Sequence, residues 1–490
     1  MSDVVIFSDQ TMYAQFKANS ASRSHGVFRI ANELRSHGYK CQVIDYFFSF
    51  TEEEIDQVCK KFISKNTAIV AFSSTFWFKH TYFPNNNDFF KQKISQVIDY
   101  VRTNYPNTKI ICGGTQSINL SKMFNFDSVF HGYSDKSIID YVKTIKDQIF
   151  IYDPKVDNFD FTKSQTLYRP EDLIDSDSTL VLEIARGCIF KCKFCAFPLN
   201  GKKKLDFIKD PDILRDELIQ NYDKWGVNTY IISDDTFNDS TDKLRIIHKV
   251  FTQLPFKIRF TCYLRLDLLN AFPEQISLLK EMGIAGTFCG LETLNHKTAK
   301  AIGKGIVPDV SKSILKDLKL KYWGNDVNIT LGIITGLPYE TYQSIDQMID
   351  WINDVDNCLV DSIRPIQLLL YKPEENIWTS EFERNAKDYG YTILENGHWS
   401  NNLFEIKSSI EAERLAIKVR DALVKRDLEA INSNFNVFYL NNIGKYSNVP
   451  KTFDEIIKMS NKERKNWIIE NNGPATEKLL HNYKNNLLNL

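Results

Sequence analysis

The sequence predicts an α/β protein built as an N-terminal parallel-sheet domain, a partial barrel and a helical C-terminal segment. Three observations carry this. Short apolar runs alternate with helical patterns along the first 150 residues; a polar, proline-bearing stretch then breaks the rhythm; from Thr179 it resumes for six further strand–helix units. Strict alternation of this kind calls for parallel strands covered on both faces.

In the first part the strand candidates are residues 4–8, 41–46, 68–73, 109–112 and 128–130. Helical patterns occupy 26–36, 52–64, 89–103 and 136–145. Together they outline a Rossmann-like domain over residues 1–150. Residues 151–178 are polar, hold Pro154 and Pro170, and read as a linker. Strands at 180–185, 229–233, 258–263, 285–290, 327–333 and 362–367 then alternate with helical patterns such as 210–224 and 339–353. Six such units over residues 179–390 fit a TIM-like (β/α)6 barrel, less complete than the eight-fold one. Residues 391–490 look mostly helical, with Ile410, Ile417, Val419, Leu423 and Val424 expected as the packing stripe of one helix.

A chain of 490 residues holds two or three domains at roughly 100–200 residues each. Its hydrophobic fraction of 43% suits sizeable cores. A formal net charge of -1 gives no electrostatic support to nucleic-acid binding. Nine cysteines, three crowded and six scattered, do not resemble a disulfide scaffold and fit a reducing compartment. The N-terminus lacks a signal-peptide pattern, and no apolar run reaches about 18 residues. The expectation is a soluble, cytoplasmic protein.

The chemistry concentrates just after the first barrel strand. Cys188, Cys192 and Cys195 follow Gly187 with CxxxCxxC spacing. Thiolates are the ligands of iron–sulfur clusters, and close spacing on one loop lets them converge. Three cysteines leave one iron of a four-iron cube open, and an open metal position is a reactive one. A zinc site would want a fourth Cys or His near by, and none follows in paired spacing. Three thiols acting as small buried hydrophobes is the other structural reading; Lys191 and Lys193 among them argue against it. The remaining cysteines, Cys41, Cys59, Cys112, Cys262, Cys289 and Cys358, are too scattered for a second cluster and read as core residues.

This loop resembles the radical S-adenosylmethionine (radical SAM) superfamily, whose signature is CxxxCxΦC; Phe194 stands at the aromatic position. The resemblance covers residues 177–394. It implies a 4Fe–4S cluster held by the three cysteines, with the amino and carboxylate groups of the methionine moiety on the open iron. It also implies one-electron cleavage of the sulfonium to a 5′-deoxyadenosyl radical, fed by a donor such as flavodoxin or ferredoxin. The later strand ends match in order. Asp234 and Asp235 end the second strand, where the family binds the methionine amino group and where an N-cap is the structural alternative. Arg265, after the third, resembles the carboxylate contact, with a surface ion pair as the alternative. Glu292, after Gly290, resembles the ribose-binding residue. Ile334 and Gly336 lie in the stretch that runs along the adenine, where a plain strand-to-helix turn is the bland reading.

Residues 1–150 are similar in layout to the cobalamin-binding domain of one subgroup of that superfamily. Ser73, Gly113, Gly114 and Gly132 sit at strand ends where cobalamin is expected. The Asp-x-His-x-x-Gly motif that supplies a cobalt-ligating His is absent; Arg23 stands two residues before His25. Cobalamin, if held, is therefore expected without histidine ligation. The leading reading is a radical enzyme that modifies an unactivated carbon by cobalamin-dependent methylation or rearrangement. A cobalamin-independent radical enzyme of sulfur insertion or cyclisation, or a non-catalytic iron–sulfur or zinc module, are the alternatives, and the substrate is not legible.

Overall fold

Two parallel sheets organise the chain in the order that the broken alternation predicts. The computed structural model describes residues 2–14, 17–75, 77, 88–145, 148–176, 178–305, 307–372, 378–428, 444–447 and 449–490. Position 177 of the expected linker and positions 429–443 of the expected helical region lie outside these.

The first sheet contains β1 (Val4–Ser8), β4 (Cys41–Ile44), β5 (Ile69–Ser73), β6 (Lys109–Gly113), β7 (Ser128–His131) and β8 (Ile149–Ile151). Between β1 and β4 the short strands β2 (Met12–Ala14) and β3 (Lys17–Ser20) form a separate hairpin. The sheet order is β4-β1-β5-β6-β7-β8, all parallel. The chain builds outward in both directions from β1, so β1 and β5 flank a topological switch point, where α/β sheets open a crevice at their carboxyl edge. Val5, Phe7, Val70, Phe72 and Ile110 pack on one face; Val4, Ile6, Ile69, Ala71 and Ile111 pack on the other, in a core shared with the barrel. Burial on both faces is why these strands read as continuous apolar runs. β8 gave no such signal because it is a three-residue edge strand with Ile149 62% and Ile151 46% exposed.

The second sheet runs in simple sequence: β9 (Leu180–Leu182), β10 (Thr229–Ile232), β11 (Arg259–Leu264), β12 (Ile284–Glu292), β13 (Asn328–Thr335) and β14 (Ser362–Gln367), again all parallel. Its register puts Leu264, Cys289, Leu331 and Ile363 in one buried row against the helices. Tyr263 and Phe288 pair in the alternate row, and Gly290, Gly332 and Arg364 in the next, on the concave side.

The segment between the sheets is a strap rather than free chain: Phe161, Tyr168 and Ile174 are buried, and Asp172 takes two hydrogen bonds, at 2.7 and 2.8 Å, from Arg35. Beyond the barrel come a hairpin, β15 (Tyr391–Ile393) with β16 (Trp399–Asn401), and a helix at Ser409–Lys425. The expected stripe on that helix holds at Val419 and Leu423 and is corrected at its other three positions. Ile410, Ile417 and Val424 are exposed, while Ala412, Leu415, Ala416, Val419, Ala422 and Leu423 are buried. Small alanines let the helix approach β14 closely, so the face that packs is not the one with the largest side chains. The final helix, Asn461–Asn489, returns to the first domain: Leu479, Leu480, Tyr483 and Leu487 join its core, and Tyr483 Oη accepts a hydrogen bond from the Asp45 amide at 2.9 Å. Among the described residues no helix is long and apolar enough to cross a membrane.

Candidate active site

The cysteine loop begins where β9 ends. Gly187 has φ +75°, and a Cβ there would meet Leu199 Cβ at 2.4 Å. Only glycine makes this turn without strain, and it aims the chain across the mouth of the barrel. Cys188 is buried, and Cys192 and Cys195 are half-buried. Burial raises the pKa of Cys188 and Cys195. Each sulfur has a polar neighbour: Thr236 Oγ1 lies 3.3 Å from Cys188, Arg265 Nη1 donates to Cys192 at 3.3 Å, and Asn200 Nδ2 donates to Cys195 at 3.0 Å. Among the described residues no three Cys, His, Asp or Glu side chains converge tightly enough to share one metal ion. A cube makes a looser demand, since each thiolate binds its own iron at a separate corner.

The fold separates the two adjacent aspartates. Asp234 is fully buried; it accepts hydrogen bonds from the amides of Ile184 (2.9 Å) and Ala185 (2.8 Å) and pairs with Lys243 at 3.1 Å. It is a strut tying the end of β9 to β10. Asp235 takes no part in that strut. Burial, with the charge of Asp234 beside it, pushes its pKa up to about 6. Arg265 is held by Asp267 through two bonds of 3.0 and 2.6 Å. Glu292 sits at φ +64°, a strained backbone for a non-glycine residue, with Lys304 3.3 Å away. Ile334 is buried in β13. Gly336 follows at φ +87°, and a Cβ there would meet Ala412 and Trp399 at 2.7 Å, so the chain's own C-terminal part explains this glycine. Phe194 packs on the edge of the barrel core.

Beside the loop lies a cavity of about 280 Å³. Its floor is the apolar face of the first sheet, with Val4, Ile6, Ala71 and Ile111; helix residues Val27 and Ile138 form its sides. Ser73, Gly113, Gly114 and Gly132 all line it. Gly113 leaves open space, whereas Cβ atoms on Gly114 and Gly132 would collide with Thr75 and Trp378. Arg186, which leads into the cysteine loop, and Phe197 and Pro198, which follow it, complete the wall. Sequence reasoning missed the charged group that joins the domains here. Arg186 bonds Asp135 at 2.7 Å and Glu183 at 2.8 Å, and Arg29 bonds Asp135 at 2.8 Å. Burial opposes ionisation of Asp135, but the two guanidiniums outweigh it and lower its pKa. Removing one partner of a buried pair typically costs about 3–5 kcal/mol, so the junction is stiff. No short motif announces it, because its members lie on three separate segments. His25 also lines the cavity, 3.8 Å from Glu183, and neither ring nitrogen has a hydrogen-bond partner among the described residues.

Residues 182–352 match the radical SAM superfamily. Among curated proteins, an uncharacterized methyltransferase of Pyrococcus horikoshii is 27% identical over 177 residues, 36% of this chain and 37% of that protein. A bacteriochlorophyllide d C-8(2)-methyltransferase of Chlorobaculum tepidum is 23% identical over 189 residues, 36% of this chain and 40% of that protein. The chain thus aligns with about two-fifths of each relative's length. Among solved structures, the radical S-adenosylmethionine methyltransferase TsrM from Kitasatospora setae, with cobalamin and a 4Fe–4S cluster bound, superposes with a TM-score of 0.66 at 14% identity, covering 96% of this chain and all of that one. The cobalamin-dependent radical enzyme OxsB, with aqua-cobalamin and S-adenosylmethionine bound, gives a TM-score of 0.57 at 14% identity over 79% of this chain and 56% of that one. The match to the radical SAM superfamily model spans most of the barrel. The whole architecture, a Rossmann-like sheet ahead of that barrel, shares its fold with the TsrM and OxsB structures.

Proposed function

We propose that the protein is a radical SAM enzyme that modifies an unactivated carbon, by methylation as the leading case, with cobalamin seated between its two sheets. The observation that carries this is the shared wall: the chain enters the cysteine loop through Arg186 and leaves it through Phe197 and Pro198, and all three line the cavity of the first domain. Chemistry at the loop and a ligand in the cavity therefore meet at one place.

When bound, the cluster supplies the electron that cleaves S-adenosylmethionine, and cobalamin supplies a carrier for a methyl group. Cys188, Cys192 and Cys195 hold the cluster. Asp235 is the carboxylate left available for the methionine amino group once Asp234 is committed to the strut. Glu292 takes the ribose hydroxyls, and Phe194, Ile334 and Gly336 flank the rest of the nucleoside. For cobalamin the cavity offers an apolar slot between sheet and helices, suited to the flat aromatic base of its nucleotide tail, opening at Ser73 and Gly113. Tyr263, Phe288 and Arg364 on the concave side face the space left for substrate. A low-potential donor of the flavodoxin or ferredoxin kind supplies electrons, and the cytoplasm is the compartment in which exposed thiols and such donors persist. Sulfur insertion finds little support, since the six other cysteines are buried in the cores.

The test is anaerobic reconstitution, then incubation with reductant and S-adenosylmethionine and mass spectrometry of the products. Cleavage of S-adenosylmethionine, with retained cobalamin, is expected. An intact four-iron protein that leaves S-adenosylmethionine whole would refute the proposal. Within the site, Glu292→Ala should keep the iron and weaken S-adenosylmethionine binding about ten- to a hundred-fold, the worth of one charge-assisted hydrogen bond. Equilibrium dialysis reads this, and unchanged affinity returns Glu292 to a structural partner of Lys304. His25→Ala should leave cobalamin affinity and visible spectrum unchanged, because His25 stands against Glu183 and is not expected to ligate cobalt. Nitrogen hyperfine structure from His25 on reduced cobalt would contradict this.

A further inference from the structure

Arg265 is fixed more firmly than a ligand clamp needs to be. It is 5% exposed. Asn238 grips its backbone on both sides, accepting from the amide at 2.9 Å and donating to the carbonyl at 3.1 Å. The Nε and Nη2 edge of the guanidinium is taken by Asp267. The guanidinium carbon lies 3.8 Å from the centroid of Phe190, a residue inside the cysteine loop. The remaining nitrogen, Nη1, donates to Cys192 Sγ. A carboxylate wanting two parallel bonds would have to displace Asp267 or Cys192. On the other side of the loop Asn200 Nδ2 points at Cys195 Sγ. Thr236 is different: its hydroxyl already donates to the Asp235 carbonyl at 2.8 Å, so it has no second proton for Cys188.

We propose that Arg265 and Asn200 are positioning residues of the cluster that set its reduction potential, and that Arg265 does not serve as the carboxylate contact of S-adenosylmethionine. The inference rests on the radical SAM reading. A reduced cluster carries one more negative charge than the oxidised one. N–H groups aimed at its sulfurs, and a guanidinium beside them, stabilise the reduced form and raise the potential. Asp267 offsets part of that charge. Two variants on one ion pair therefore move the potential in opposite directions: Arg265→Gln lowers it and Asp267→Asn raises it.

The experiment is a mediated redox titration of the reconstituted protein, with the paramagnetic reduced cluster followed by EPR, alongside iron analysis and dialysis with S-adenosylmethionine. At a fixed potential the ratio of reduced to oxidised cluster should fall about tenfold in Arg265→Gln, a shift of about 59 mV for one electron, and rise in Asp267→Asn. Asn200→Ala should lower it as well, through the loss of one neutral donor. Affinity for S-adenosylmethionine should stay within about twofold throughout, where loss of a clamp would cost tenfold or more. An unmoved potential with weakened binding in Arg265→Gln overturns the inference and makes Arg265 the clamp. Should that variant fail to hold iron, Asn200→Ala and Asp267→Asn decide by the sign of their shifts. Absence of a cluster from the unaltered protein overturns the radical SAM reading itself, and iron analysis separates that outcome from the others.

Discussion

Replacing Cys188, Cys192 and Cys195 together by alanine is expected to take the anaerobically reconstituted protein from about four irons and four sulfides to none, the stoichiometry of a single cube on three thiolates. Each single replacement should lose the cluster too, since a cube with two protein ligands has two open corners. The fold should survive. Cys192 and Cys195 are half-buried on a loop, and the loop's other anchors remain: Gly201 donates to the Cys188 carbonyl at 2.7 Å, and Lys193 bonds Tyr389 at 2.8 Å. Iron and sulfide analysis with far-UV circular dichroism checks both statements. Full iron content in the triple variant would mean that the metal sits elsewhere. A single tightly bound zinc in place of iron would favour the structural alternative, and a fourth ligand would then have to be found.

The cysteine loop was legible because its chemistry is local: spacing, the aromatic Phe194 and the preceding strand all fall between Leu180 and Cys195. The strand–helix alternation was legible for a similar reason, since both sheets are parallel and covered on both faces. What the sequence could not tell is how neighbours of one type divide their work. Asp234 and Asp235 are chemically identical, and only the fold turns one into a buried strut and leaves the other out of it. Arg265 reads in sequence as a carboxylate contact or as one half of a surface ion pair; the chain bends so that Asp267, two residues on, claims one edge of its guanidinium and Cys192 the other. Contacts between distant segments were out of reach as well. The return of the last helix to Asp45, and the Arg29–Asp135–Arg186–Glu183 junction, need three-dimensional closure that no periodicity encodes. The helix at Ser409–Lys425 misled for another reason: hydrophobicity suggests that Ile410 and Ile417 face the core, whereas close packing on β14 favours the alanine face.

That junction bears on how the two proposed cofactor sites would act together. Glu183 and Arg186 lie within the four residues before Gly187, while Asp135 and Arg29 belong to the helices that wall the cavity. A ligand pressing on the cavity wall therefore pushes against the stem of the cysteine loop. Asp135 accepts from both guanidiniums and is held ionised by them, so the coupling passes through a group with little freedom to relax. This stiffness suits chemistry in which a radical must reach its target without a change of domain geometry.

The second large effect is expected at Ala71. It lies at the middle of β5, paired with Ile6 on one side and Ile111 on the other, and its methyl group forms the floor of the cavity. Ala71→Phe should fill the slot proposed for the aromatic tail of cobalamin. Overpacking a filled core costs about 1–3 kcal/mol, but here the ring enters a cavity of about 280 Å³, so the fold should accept it. Lost burial of one aromatic-sized group is worth about 3 kcal/mol, and cobalamin affinity should fall about a hundredfold. Gly113→Ala adds only a methyl group at the opening of the same slot, where a Cβ meets nothing nearer than Phe130 at 3.9 Å, and should weaken binding less than Ala71→Phe does. Cobalamin retained after gel filtration, read from its visible spectrum, measures both. Iron content should be unchanged in either variant, because neither residue belongs to the cysteine loop. Undiminished cobalamin binding by Ala71→Phe would move the tail site out of this cavity. Failure of the unaltered protein to retain cobalamin, while it still cleaves S-adenosylmethionine, would leave the first domain as a wall that shapes the barrel mouth.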